Sequence, residues 1–154
     1  MQIKLAVLPA DKEKICAYYA SAWRDIFGEE LKYVREAAAK ARRLLYRDKR
    51  NVAFGSMGDE EAGIIMLDDS TVLYPSAGHI SLLYLKPEFR RRGLGIQLIH
   101  HAIDKYSEDE KRHISVRVAE NNVAAYAFYK KYGFYELYRE TEEDVRQIVM
   151  LLDI

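Results

Sequence analysis

A mixed α/β domain is the fold class that this sequence predicts. Two observations carry it: β-prone runs bunch in the middle of the chain, and elsewhere they alternate with amphipathic stretches of helical period. That pattern requires at least one β-helix-β crossover. A third observation bounds it: 154 residues fit one domain, long enough to bury most of what the unfolded chain exposes, and no linker or low-complexity stretch divides them.

Residues 2–8, QIKLAVL, alternate apolar and polar and stop at Pro9, as a strand does. Asp11 is placed to cap a helix whose apolar positions are Ile15, Tyr18, Tyr19, Ala22, Ile26 and Phe27, with Gly28 suited to its end. Leu31, Val34, Ala38, Ala41 and Leu45 make the stripe of a second helix. NVAFGSM and EAGIIML are short β-prone runs separated by GDE, a hairpin signature, and GHISLLYLKP is a third run ended by Pro87. A helix from Gly93 to about Tyr106 follows, with Leu94, Leu98, Ile99, Ala102 and Ile103 on one face. HISVRV reads as a further strand, and a helix from Asn122 to Tyr132 is closed by Gly133 where a left-handed cap is usual. FYELYR and RQIVMLL are the last strands, joined by the acidic turn ETEED.

Lys plus Arg and Asp plus Glu both total 24, so the overall charge favours neither a polyanion nor a membrane surface. The charge is unevenly spread: Lys32, Arg35, Lys40, Arg42, Arg43, Arg47, Lys49 and Arg50 face only Glu36 and Asp48 across residues 31–50. Nucleic-acid binding there needs aromatic interleaving and a net positive domain, for which Tyr33 and Tyr46 are not enough; no nucleic-acid or membrane partner is expected. Cys16 is the only cysteine, which excludes an internal disulfide and a cysteine-based zinc site; no metal is expected. With no signal-like or spanning apolar run, a reducing cytoplasm is the simplest setting.

The stretch LKPEFRRRGLGIQLIHHA, residues 85–102, holds the chemistry. A strand that ends at Pro87, a turn with Gly93 and Gly95, and an immediate helix start leave backbone N–H groups unpaired around a concave space, which attracts phosphate. A P-loop needs Gly-Lys-Ser/Thr where this chain has Gly95, Ile96 and Gln97, and a dinucleotide fingerprint needs a glycine where it has Leu98. Arg90, Gly93 and Gly95 instead meet the R/Q-x-x-G-x-G/A signature of the GNAT superfamily of acyl-CoA-dependent N-acetyltransferases. A second block, VAENNVAAYAFYKKYGF, resembles that family's strand followed by N-x-x-A-x-x-x-Y-x-K-x-G-F, with Asn122, Ala125, Tyr129, Lys131, Gly133 and Phe134 in register. The resemblance is close over residues 79–136 and elsewhere extends to the order of elements.

The resemblance implies a mixed, mostly antiparallel sheet of six or seven strands, splayed in the middle and flanked by about four helices, with acetyl-CoA as cosubstrate in the gap. Backbone amides of Arg90, Arg91, Arg92, Gly93, Leu94, Gly95 and Ile96 would hold the pyrophosphate. Leu83, Tyr84 and Leu85 would pair with the pantetheine arm and bind the thioester carbonyl, an oxyanion site. Asn122 matches the position that steadies the pantetheine, and Tyr129 the one that protonates the departing thiolate. The acceptor would be the primary amine of a small molecule or peptide, and the chain a monomer or homodimer. A non-catalytic acyl-CoA-binding module with the same fold is the alternative.

Each of these residues has a plainer role beside the implied one. Tyr129 is one of 12 tyrosines, so core packing competes with acid catalysis. Asn122 also suits a helix cap. Arg91 and Arg92 reach CoA phosphates or are simply solvated. Arg117 stands where some family members present a glutamate, which leaves His79 to accept the amine's proton or merely to hydrogen-bond in its strand. Asp25, Glu29 and Glu30 lie where a cationic amine would enter in the resembling family, or form a solvated loop.

Overall fold

The computed structural model describes residues 1–27, 34–142 and 144–154. Along the chain run β1 (Gln2–Leu5), α1 (Lys12–Phe27), α2 (Val34–Arg47), β2 (Val52–Met57), β3 (Glu60–Leu67), β4 (Ala77–Leu85), α3 (Gly95–Glu108), β5 (His113–Ala119), α4 (Val123–Lys131), β6 (Tyr135–Glu142) and β7 (Val145–Asp153). The strands form one seven-stranded sheet in the order β1-β2-β3-β4-β5-β7-β6, antiparallel except at β4–β5. β4, α3 and β5 are the predicted crossover.

The GDE hairpin forms as its sequence requires, with Gly58 at φ 60° in the turn between β2 and β3. Several assignments differ from expectation: α3 starts at Gly95 rather than Gly93, and residues 140–142, expected in the acidic turn ETEED, extend β6. The first strand ends at Leu5, and the Asp11 carboxylate accepts from the Val7 N–H (2.8 Å) upstream rather than capping α1. In α2 the buried line is Ala37, Ala41 and Leu44, whereas Ala38 and Leu45 of the predicted stripe are only partly buried. Gly28, Glu29, Glu30, Leu31 and Glu143 lie outside the described residues.

Each face of the sheet carries its own core. On one, Leu98, Ile99, Ala102 and Tyr106 of α3 and Tyr129 of α4 pack on Ile65, Ile80, Ile114, Val116, Val118, Ile148 and Met150. On the other, Ile15 and Tyr18 of α1 and Ala41 and Leu44 of α2 cover Phe54, Ile64 and Met66. Burial of each such large side chain stabilises by about 1.5–3 kcal/mol. Lys105 of α3, 2% exposed, is held by Asp109 (2.7 Å) and Asp69 (3.2 Å), which compensates its buried charge.

Tyr106 lies flat on Gly78 of β4, and its hydroxyl accepts from the His79 N–H (3.1 Å) and donates to the His79 carbonyl (2.8 Å). A Cβ at Gly78 would stand 2.3 Å from that ring. Gly78→Ala is therefore expected to destabilise the fold by about 1–3 kcal/mol through overpacking, read as a lowered Tm in thermal unfolding; an unchanged Tm would show that the ring can move aside.

The sheet opens in its middle. β4 and β5 pair only from Ala77↔His113 to Ile80↔Val116. Beyond that point β4 continues to Leu85 on β3 alone, and β5 continues to Ala119 on β7 alone. The register between β3 and β4 shifts where Leu67 faces Ile80 but Met66 faces Leu82, leaving Ser81 as an extra residue. Such a bulge bends its strand and strengthens the twist, which turns β4 away from β5.

Candidate active site

The bend after β4 is anchored by Phe89, 4% exposed, which packs with Leu94 and Ala62. Arg91 (φ 61°) and Gly93 (φ 75°) are both left-handed, and such alternation turns successive N–H groups toward one concavity. Among the described residues nothing accepts from the N–H groups of Arg91, Arg92, Gly93 or Leu94. α3 starts at Gly95 with Leu94 at its cap position and no side chain to satisfy the first-turn amides, so the helix adds about half a positive charge there. This is an anion cradle made of main chain.

Arg90 differs from the expectation placed on it. Its N–H donates to the Pro87 carbonyl (3.2 Å), so the open amides begin at Arg91. Its guanidinium donates to the Leu85 carbonyl (2.9 Å) and to Asp25 of α1 (2.7 Å) and lies over the Tyr84 ring. Asp25, one of the acidic residues expected to attract a cationic amine, is thereby neutralised. Arg91 and Arg92 are exposed, Arg92 above the Phe89 ring.

Lys86 donates to the Ala62 carbonyl (2.8 Å). Alternation along the antiparallel ladder then turns the amides of Leu82 and Tyr84 toward β3 and those of Leu83 and Leu85 toward the gap, where β5 has left them without a partner. An extended amide-bearing arm can add there as a strand. Tyr84 is thus not a gap-facing donor.

The two sequence motifs meet across this gap. A Cβ on Gly95 would stand 2.8 Å from the Phe128 ring of α4 and 3.5 Å from Leu85, so α4 reaches the start of α3 only because Gly95 has no side chain. Asn122 caps α4, its Oδ1 accepting from the Ala125 N–H (3.2 Å), while its amide NH2 has no partner among the described residues. Tyr129, 7% exposed, is held edge-to-face between Phe128 (5.2 Å) and Phe134 (5.1 Å). Its hydroxyl makes no hydrogen bond among the described residues, and burial pushes its pKa above the ordinary phenol value. At neutral pH the phenol therefore keeps its proton.

His79 lies in β4 as expected, and of the two roles open to it the structure favours hydrogen bonding within the sheet over accepting the amine's proton. It is 4% exposed, and its Nδ1 is 2.9 Å from the Ser115 hydroxyl. Burial first, then the charges of Arg117 and Lys40, lower its pKa from 6.5 to about 4. A buried neutral ring is not open to an incoming amine. The unfolded chain binds this proton below pH 6.5 and the folded one only near 4, so the contribution of His79 to stability is intact above 6.5 and is lost as pH falls toward 4. His79→Gln is expected to flatten the fall of Tm across that window and to leave the neutral-to-alkaline limb of kcat/KM in place. Loss of that limb would restore His79 as base.

Arg117, on the face of β5 opposite Val116 and Val118, donates from Nε to Glu140 of β6 (2.7 Å). Lys40 of α2 interacts with both Arg117 and Asp68. Sequence reasoning missed Lys40 and Glu140 as neighbours of Arg117, since only the strand order β5-β7-β6 and the packing of α2 bring them there.

The family model of the acetyltransferase (GNAT) domain matches residues 17–151. The chain is 28% identical over 128 residues to an uncharacterized N-acetyltransferase of Archaeoglobus fulgidus, covering 78% of this chain and 86% of that protein. A second relative, from Methanocaldococcus jannaschii, is 28% identical over 96 residues, 60% of this chain but only 42% of its own length. Among solved structures, the PaiA N-acetyltransferase of Thermoplasma acidophilum in complex with coenzyme A superposes with a TM-score of 0.76 at 20% identity over 100% of both chains. The Escherichia coli ribosomal-protein-S18-alanine N-acetyltransferase does so at 0.70 and 21%, over 99% of this chain and 93% of its own. A splayed sheet with a main-chain anion cradle beside the gap and a domain match over nearly the whole chain have one reading: the protein belongs to the GNAT acetyltransferase family.

Proposed function

We propose that this protein transfers acetyl from acetyl-CoA to a primary amine by direct attack in a ternary complex. The observation that supports it most is the cradle of open amides from Arg91 to Leu94 at the start of α3, continuous with the unpaired Leu83 and Leu85 edge of β4. Acetyl-CoA supplies an activated acyl group when bound. The cradle holds pyrophosphate, with Arg91 and Arg92 at its rim; the Leu83 and Leu85 edge pairs with the pantetheine arm and binds the carbonyl oxygen; Asn122 steadies the arm from the β5 side. Once the ammonium has lost its first proton, the neutral amine nitrogen bonds to the carbonyl carbon; the C–S bond breaks as Tyr129 gives its proton to the thiolate, and the surplus proton on the nitrogen passes through water to restore the Tyr129 phenol. Arg117 stands where a carboxylate base would, so the ammonium loses its proton to water. Cys16, in α1, takes no part.

The absence of a protein base at Arg117 favours a second reading, an acyl-CoA-binding module without turnover. Purified protein incubated with acetyl-CoA and pools of amines, amino acids, polyamines, aminoglycosides and peptides, with thiol release followed, separates the two. Release dependent on an amine supports transfer; CoA binding in calorimetry with no release in any pool supports the module.

A further inference from the structure

Resting on the acetyl-transfer reading, we infer that the acceptor is a small amine that carries a carboxylate, bound by Lys40 and Arg117 on the α1–α2 side of the gap. The side of approach follows from the fold. The cradle opens at the start of α3, and Leu83, Leu85, Val116 and Val118 belong to the core beneath α3 and α4, so the nucleophile has the opposite face of the sheet to enter by. On that face Arg117 is the first β5 residue beyond the last β4–β5 pair, Ile80↔Val116. Lys40 and Arg117 both lie near enough to act on His79, just inside the fork.

The state of these two cations is the anomaly. Lys40 is half-buried, yet it makes no hydrogen bond or ion pair among the described residues. Asp68, the carboxylate that acts on it, spends its oxygens on the Ser70 N–H (3.0 Å), the Ser70 hydroxyl and the Thr71 hydroxyl (3.0 Å). Burial, with Arg43 and Arg117 adding to it, lowers the Lys40 pKa despite Asp68. Arg117 commits only Nε, to Glu140, and its terminal NH2 groups have no partner among the described residues. Partly desolvated cations are ordinarily paired. Two with donors to spare, beside the point where the amine must arrive, match a carboxylate and repel a polycation.

The test uses saturating acetyl-CoA and a panel of free α- and ω-amino acids, each matched with its own carboxamide, plus a linear polyamine. The acids are expected to exceed their amides in kcat/KM by roughly ten- to a hundredfold, the weight of a charge-assisted hydrogen bond. Lys40→Met should raise KM for the acids more than it lowers kcat and collapse the acid-to-amide ratio, whereas Lys40→Arg should keep most of it; thermal melts confirm that both variants fold. Equal use of acid and amide, preference for the polyamine, no turnover of any panel member, or an unaltered ratio in Lys40→Met would each overturn the inference. Calorimetry with CoA and the amine pools are run alongside: thiol release from any pool together with one of those outcomes sinks this assignment alone, whereas absent CoA binding, or intact binding with no release from panel or pools, sinks the acetyl-transfer reading itself.

Discussion

Gly93→Val is expected to abolish measurable CoA binding in calorimetry while the protein stays folded. At φ 75° the residue occupies a region that costs an L-residue about 1–2 kcal/mol and a β-branched one more, so valine drives the bend out of the left-handed conformation. A Cβ there meets nothing within 4 Å, so no clash inside the protein follows; the branched side chain fills the space that the open amides surround. Losing two or more charge-assisted hydrogen bonds, at about 1.5–3 kcal/mol each, weakens binding by at least a hundredfold. Gly58→Val is the matched control. It stands at φ 60° with nothing within 4 Å, so it carries the same backbone strain far from the cradle, in the β2–β3 hairpin. A Gly93→Val protein that binds CoA as tightly as Gly58→Val does would remove the main-chain cradle from the account.

The second large effect is expected at Tyr129. Tyr129→Phe should lower kcat by roughly 10²-fold or more, the weight of a positioned proton donor, with CoA affinity nearly unchanged. Stability is where acid and packing roles separate. The phenol forms no hydrogen bond among the described residues, and its ring contacts with Phe128 and Phe134 are retained by phenylalanine, so the melting temperature should hardly move. Because burial raises its pKa, the parent should show no alkaline fall in kcat from this group up to the ordinary phenol range near pH 10. An unchanged kcat, measured with an acceptor for which chemistry is rate-limiting, returns Tyr129 to the core.

In the bend LKPEFRRRGLGIQ the backbone conformation follows from local residues, whereas the side-chain partners come from distant parts of the chain. Gly93 needs its left-handed conformation whatever surrounds it, but the Arg90 guanidinium goes to Asp25, 65 residues away in sequence, and no pattern near Arg90 announces that. The same holds for His79. Its position in the strand is local, but Ser115 and Tyr106 bond to it from β5 and α3, and its pKa is lowered by burial and by the charges of Arg117 and Lys40, which come from β5 and α2.

By itself the sequence determined the succession of strands and helices, the hairpin at GDE, the uncapped start of α3 and the cap at Asn122, since periodicity, turn chemistry and capping act within a few residues. Only the tertiary structure decided which charges are spent and which are left over. The order β5-β7-β6 puts Glu140 against Arg117, α1 delivers Asp25 to Arg90, and α2 leaves Lys40 without an ion pair among the described residues. The state of a charged side chain is set by desolvation and by partners gathered from distant parts of the chain, and those exist only once the sheet has closed around its bulge and opened beyond it.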